Sequence, residues 1–414
     1  MSRRVVVTGI GVVTPLGIGR KSFTERLMGG ESAVSTIKSF DTSHLPSHLG
    51  AEVVDFDPKD YIDGKALRKM DRISRMAAAA ASMAVEDAGL KINESNRDRV
   101  GIILGVSMGS TDVSIKIIDT IFSEGPTMIN PILVPNTVMN APAGHASIVL
   151  GLRGINSTVN HKEASAETAT AYAAGEIANG RADAILAGGA DIISPFPYEV
   201  LTRFRALSPA GGGKEGARPF DRGRNGFVYG EGAGIILLES LDAAQERGAE
   251  IFAEVLGWGM SAAPSAPNDW PEETGGTILA MRRAIESAGL NSGEVDYISA
   301  SANGGKRLDR LEAESIGELF GRFDGKAKSP IVSSIKGAVG ESLSSGGVRS
   351  AAAVISLKYG IVPPTLNLNE PIAPLNFVVG KKRIENISTA MVNGFSSGGT
   401  FVSLIFGKFD RSTK

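Results

Sequence analysis

A layered α/β fold is predicted by three features of the chain. Short β-branched runs alternate with alanine-rich helical stretches, and two distant segments repeat the same order of elements. In addition, 42% hydrophobic residues and 51 glycines among 414 residues are enough for a large core, in one domain or two intimate halves. In chain order, the valine run 5–7 reads as the first strand and the alanine-rich stretch 73–87 as a helix, because alanine gives up least entropy in that conformation. Strand 100–104 and helix 164–178 follow, then strands 184–187 and 235–238, each short, apolar and rich in β-branched side chains. Helix 277–288, strands 297–299 and 331–333, helix 350–358, and strands 389–392 and 401–405 complete the alternation. Residues 163–189 run as turn, alanine-rich helix and strand; residues 336–362 run as glycine-rich turn, small-residue helix and extended stretch. That echo predicts an internal duplication, with the small-residue helices buried in the middle of the molecule. Residues 261–271, rich in Pro and Ser, read as a surface connection.

Composition excludes several functions. A formal charge of −2 with dispersed Lys and Arg leaves no footprint for nucleic acid. The opening Met-Ser-Arg-Arg runs directly into a strand, and no apolar stretch reaches about 18 residues, so a cytoplasmic protein without a membrane span is expected. With no cysteine there is no disulfide, thiolate metal site or thiol nucleophile, and His44, His48, His145 and His161 lack metal-site spacing; no metal and no cofactor are expected. The glycines of 226–234 lead into a strand. A phosphate cradle needs a helix N-terminus after them, so close backbone packing is the better reading.

Several motifs carry a resemblance. They are residues 4–17 (RVVVTGIGVVTPLG), 144–154 (GHASIVLGLRG), 182–190 (ADAILAGGA), 218–227 (RPFDRGRNGF) and 393–400 (NGFSSGGT). In order and spacing they resemble the type II β-ketoacyl-acyl-carrier-protein synthases, from end to end. The resemblance implies a thiolase fold, with duplicated βαβαβαββ halves in five α-β-α-β-α layers, here divided as 1–250 and 251–414. It also implies a dimer with an acyl pocket near the interface.

The family's cysteine and two histidines are located by counting. The nucleophile lies nine residues after Gly154, which is Glu163; the first histidine falls on Ser301, eight before Asp309; the second lies five after Lys336, at Glu341. Claisen condensation needs a thiolate to hold the acyl chain and donors to stabilise an enolate. A glutamate attacking a thioester gives a hydrolysable mixed anhydride, an ionised Glu341 repels the enolate, and each lost oxyanion donor costs about 2.7–4 kcal/mol. No condensation by this chain alone is expected. In the glycine-rich loop, Ser397 stands where the family carries the phenylalanine that gates its acyl tunnel.

Other residues keep two readings. Glu163 fits a helix N-terminal carboxylate, worth about 0.3–1 kcal/mol, or an acid–base pair with Glu341 if both face one pocket. His161 and Ser165, four apart, suit helix packing better than a Ser–His nucleophile. Lys65, Arg68, Lys69 and Arg205 match positions that the family uses to dock acyl carrier protein, and equally fit a solvated face. Asp309 and Glu312 fit loop anchors. The resemblance implies a chain-length factor, an inactive subunit pairing with a competent ketosynthase through the 129–148 region, although such subunits commonly carry glutamine where Glu163 stands. The alternatives are a homodimeric acyl-thioester hydrolase or decarboxylase using Glu163 and Glu341, and a non-catalytic protein that binds acyl chains or carrier protein.

Overall fold

The first strand, Val5–Thr14 (β1), is buried at every position and extends well beyond its valine run. Glycine explains both the extension and its absence from the apolar pattern: a Cβ on Gly11 would lie 1.8 Å from the Ala80 carbonyl oxygen of helix Arg72–Asp87 (α1). The strand therefore gives up apolar side chains to let the helix backbone approach. Strand Ala253–Ala262 (β6), which hydropathy reading missed, does the same: a Cβ on Gly259 would lie 2.1 Å from Ala280 O in helix Gly275–Ser287 (α3).

The computed structural model describes residues 3–266, 268–323, 328–344 and 346–410. Between β1 and β6 come Val100–Gly105 (β2), Asn156–Val159 (β3), helix Ser165–Ala178 (α2), Ala184–Asp191 (β4) and Gly232–Ser240 (β5). After α3 come Tyr297–Ser299 (β7), helix Lys306–Phe320 (α4), Ile331–Ser333 (β8), helix Gly346–Tyr359 (α5), Asn376–Phe377 (β9), Thr389–Ser396 (β10) and Thr400–Gly407 (β11). These strands form one mixed sheet in the order β9-β8-β7-β10-β11-β6-β1-β5-β4-β2-β3.

The predicted duplication appears strand for strand. In β3-β2-β4-β5-β1 and in β8-β7-β10-β11-β6, the first two pairings are parallel and the last two antiparallel. The two sets join where Val5, Val6 and Val7 pair with Val255, Glu254 and Ala253. One expectation is corrected. The extended stretch after α5, Ile361–Val362, pairs with Arg383–Ile384 in a separate two-stranded sheet, and the counterpart of β4 is β10. The short apolar run there matched a strand, but its hydrogen bonds go elsewhere.

Helix α1 covers one outer face and α3, backed by α4, the other, while α2 and α5 pack against each other and against strands of both sets. The result is the five-layer α-β-α-β-α arrangement. Both inner helices are made largely of small residues because they are enclosed over most of their length: in α5 every residue from Gly346 to Leu357 is buried, and in α2 Ser165 to Ala171 are, with Tyr172 exposed.

Two large side chains interrupt this small-residue layer. Glu167 of α2 and Arg349 of α5, 0% and 1% exposed, form an ion pair, and the Arg349 guanidinium also donates to the carbonyl of Asn393 in β10. Glycine makes the room, since a Cβ on Gly346 would fall 2.1 Å from the Glu167 carboxylate. Removing one partner strands a buried charge, which costs about 3–5 kcal/mol, whereas apolar replacement of both is often close to neutral. Arg349→Met should therefore lower stability by about that amount in urea denaturation. Glu167→Leu with Arg349→Met should recover most of the loss; a double variant no better than the single would show that the pair is held for its geometry.

Candidate functional site

The chain enters α2 through a 3-10 turn, Lys162–Ala164, with Lys162 in the left-handed region at φ 47°. Ser165 builds this turn: its Oγ accepts the His161 N–H at 2.8 Å and donates to the Lys162 carbonyl at 2.6 Å. The His161 ring goes instead to the Thr168 hydroxyl, 3.2 Å away, so His161 and Ser165 form no nucleophile pair. Nor does Glu163 cap the helix. The N-cap is Ala164, and the Glu163 carboxylate turns toward the hairpin between β10 and β11.

That hairpin is tight because Gly398 and Gly399 have φ of 91° and 89°, and a Cβ on Gly399 would sit 1.7 Å from Ala263 O. The turn presents two serines to Glu163. Oε2 accepts from Ser396 Oγ at 3.0 Å and from the Ser397 backbone N–H at 3.2 Å; Ser397 Oγ lies 3.2 Å from Oε1 and 3.3 Å from Oε2. Burial, and then the negative charge of Glu341, push the Glu163 carboxyl above the usual carboxylate range, against the pull of these donors.

Behind it lies a second, fully enclosed group. Lys336 Nζ donates to Glu341 Oε2 at 2.5 Å and to the Ser301 carbonyl at 2.7 Å, and Asn303 Nδ2 reaches the same Glu341 oxygen at 3.0 Å. The Ser301 hydroxyl accepts the Phe395 N–H at 3.2 Å, which ties this group to β10. Glu163 and Ser397 thus form one hydrogen-bonded group, and Ser301, Lys336 and Glu341 a second behind it. Sequence reading missed Asn303, Ser396, Glu167 and Arg349. The last two had a signal: each is a charge set among the small residues of a helix that must be buried.

The loop carrying Ser301 and Asn303 is held by carboxylates of α4. Glu312 accepts from the amides of Ser301 at 2.9 Å and Ala302 at 2.7 Å, and Asp309 from those of Phe220 at 2.7 Å and Asn303 at 3.0 Å. Burial raises the Asp309 carboxyl to about 7 despite these bonds.

A cavity of about 560 Å³ opens onto Glu163 and Ser397. Apolar side chains such as Val200, Leu201, Phe204, Phe227 and Leu343 line it, with Asn160, Asn225, Asn268 and Asn303 among them and Arg205 at its exposed margin. Ser301, Lys336 and Glu341 lie behind the wall. Lys65, Arg68 and Lys69 are all exposed around the short helix Gly64–Leu67; Arg68 and Lys69 line a separate cavity of about 190 Å³ with Lys116 and Ile132.

A five-layer duplicated sheet with a site between its two inner helix starts and the β10–β11 turn defines the thiolase-fold condensing-enzyme class. Within it, residues 2–244 match the N-terminal domain of β-ketoacyl synthase and residues 252–369 its C-terminal domain. The chain is 36% identical to the 3-oxoacyl-[acyl-carrier-protein] synthase 2 of Coxiella burnetii over 411 residues, covering 98% of this chain and 99% of that one. The corresponding synthase of Staphylococcus aureus is 34% identical over 418 residues, 99% of each chain. Among solved structures, the ishigamide ketosynthase/chain length factor superposes with a TM-score of 0.92 at 31% identity, over 99% of this chain and 100% of that one. The chain belongs to the β-ketoacyl synthase family.

The raised Glu163 carboxyl has a consequence for stability. A group that holds its proton more tightly when folded supports the fold fully below its ordinary value of 4.5 and loses that support as pH rises through its folded value. Glu163→Gln removes the titration. The melting temperature of this variant should match that of the native chain near pH 4 and exceed it increasingly toward pH 8; a difference independent of pH would show that Glu163 titrates normally.

Proposed function

We propose that this chain is a non-condensing, cytoplasmic subunit of the chain-length-factor type, which pairs with a competent ketosynthase in acyl-carrier-protein-dependent elongation of fatty acyl or polyketide chains. The observation that carries the reading is the Glu163 cluster. At the position of the family's thiolate stands a carboxylate held by two serines, and the chain has no cysteine elsewhere to take over. Ser301 and Glu341 take the places of the two histidines. Glu341 is occupied by Lys336 and Asn303, so neither position offers the free N–H donor that an enolate needs.

Pairing is supported by an uncovered apolar face. Phe122 is 86% exposed and Ile148 75%, with Ile118, Met128, Ile132, Val134, Val138 and Met139 also exposed across residues 118–148. The sheet ends on the same part of the chain. Strand β3 is its last strand, and Asn156 and Ser157 are exposed there, an edge suited to continuing into a second subunit. The similarity to a ketosynthase/chain length factor supports a heterodimer, and the relatives' names support a carrier protein as partner. In this reading Lys65, Arg68, Lys69 and Arg205 receive the acidic carrier, and Ser397 leaves the pocket without an aromatic gate.

The test is co-expression with an intact ketosynthase and its carrier protein. A stable heterodimer that elongates with malonyl carrier protein, while this chain alone gives no elongated product, is the expected outcome. Elongation by this chain alone, or a homodimer that refuses the ketosynthase, would overturn the proposal.

A further inference from the structure

Three departures from the family pattern meet at one point. Glu163 replaces the nucleophile, and in the loop that the family writes Asn-x-Phe-Gly-Phe-Gly-Gly-Thr, Ser396 and Ser397 replace a glycine and a phenylalanine. A site abandoned to drift would gain unrelated side chains. Here the three bond one another.

Ser396 Oγ at 3.0 Å and the Ser397 N–H at 3.2 Å hold Oε2, and the Ser397 hydroxyl lies within reach of both carboxylate oxygens, 3.2 Å from Oε1 and 3.3 Å from Oε2. A nucleophile in reach of a base that a further group orients is the constellation of covalent catalysis. Of the two serines that line the 560 Å³ cavity, Ser107 and Ser397, it is Ser397 whose hydroxyl bonds a carboxylate. Two buried serines nearby are committed elsewhere, Ser301 Oγ accepting the Phe395 amide and Ser165 Oγ donating to Lys162 O, and the buried Ser342 does not line the cavity.

From this geometry we infer that Ser397 is an acyl-accepting nucleophile and Glu163 its general base, together hydrolysing an acyl thioester bound in the cavity. The apolar wall of Val200, Leu201, Phe227 and Leu343 takes the acyl chain, and the asparagines take the amide groups of the thiol arm. A thioester is the fitting class because a carboxylate base without imidazole needs an activated acyl donor, and a thiol of pKa about 8.5 leaves far more readily than an alcohol. The burial and the Glu341 charge that strengthen Glu163 as a proton acceptor act in the same sense.

The steps balance with water as the second reactant. Ser397 Oγ attacks the thioester carbonyl while its proton passes to Glu163; the C–S bond breaks and the sulfur leaves as thiol, taking that proton. Water then gives a proton to Glu163 and adds to the Ser397 ester; the C–Oγ bond breaks and Oγ recovers the proton. The products are a free acid, a thiol and the unchanged protein. This activity is independent of subunit pairing, so a chain that pairs and elongates as proposed above could still fail it, and the reverse.

The test uses the full chain with octanoyl-N-acetylcysteamine. Because the chain has no cysteine, thiol release is read directly with a disulfide reagent, and any acyl adduct seen by intact mass is not a cysteine thioester. The expected results are thiol release above the buffer rate, an octanoyl adduct mapped to Ser397 by peptide mass spectrometry, loss of release to background in Ser397→Ala, and a fall on the order of 100-fold in Glu163→Gln. No release above buffer, a wild-type rate in Ser397→Ala, or an adduct mapped to Glu163 or any other residue would overturn the inference. Melting curves of both variants show whether a loss of rate reflects loss of fold; if Ser397→Ala does not fold, the mapped adduct on the native chain decides.

Discussion

The ion pair between Glu167 and Arg349 is the constraint on which the arrangement of the site rests. It joins α2 to α5, the two helices that face each other across the pseudo-symmetric centre, and Arg349 extends the tie to β10 through the Asn393 carbonyl. Three of the site's segments adjoin these elements. Glu163 precedes α2, Glu341 precedes α5, and Ser396 ends β10. A buried pair is a weak source of net stability, because desolvation consumes most of the Coulomb gain. Its effect is on placement: the pair fixes how the two helices face each other, although Glu167 Oε2 and Arg349 Nε stay buried without a hydrogen-bond partner. Glu167 lies against Gly346, the first residue of α5, where the positive end of the helix dipole offsets part of the cost of burying a carboxylate.

Around this pair the site holds more acid than base. Of Glu163, Glu167 and Glu341, the last two pair with Arg349 and Lys336, and Glu163, the one that faces the cavity, forms no ion pair with the described residues. Burial raises the proton affinity of Glu167 as well as that of Glu163, and of the two it is Glu163 that opens onto the cavity. Glu341 and Glu167 each lie against a cation inside the wall, whereas Glu163 meets only neutral donors at the wall's surface.

Much of this was legible in the sequence, for identifiable reasons. The inner helices could be read because burial between layers demands small residues, and 164–178 and 350–358 are built largely of them. Glu163, Ser301, Lys336 and Glu341 could be placed by counting from fixed landmarks, which survive when the residue between them changes type. Strand β6 could not be read, since Gly257 and Gly259 break its apolar alternation to admit α3. The partners of Glu163 were also hidden. Ser397 was read as a lost gate, and nothing in a linear pattern says that a serine 234 positions away points at a carboxylate. Asn303 was hidden for the same reason, being a polar loop residue whose bond to Glu341 exists only after folding.

The ladder between Val5–Val7 and Ala253–Val255 gives the chain a liability during synthesis. Until β6 has left the ribosome, β1 keeps an unpaired edge, and the inner face of α2 lacks both α5 and the second set of strands. A nascent or prematurely ended product that stops before residue 253 therefore presents an open strand and a small-residue apolar helix together, the combination that seeds intermolecular pairing. The duplication that builds a deep, enclosed centre thus makes the first half depend on the second for solubility, and an mRNA truncated near its middle yields a species for proteases or chaperones to clear.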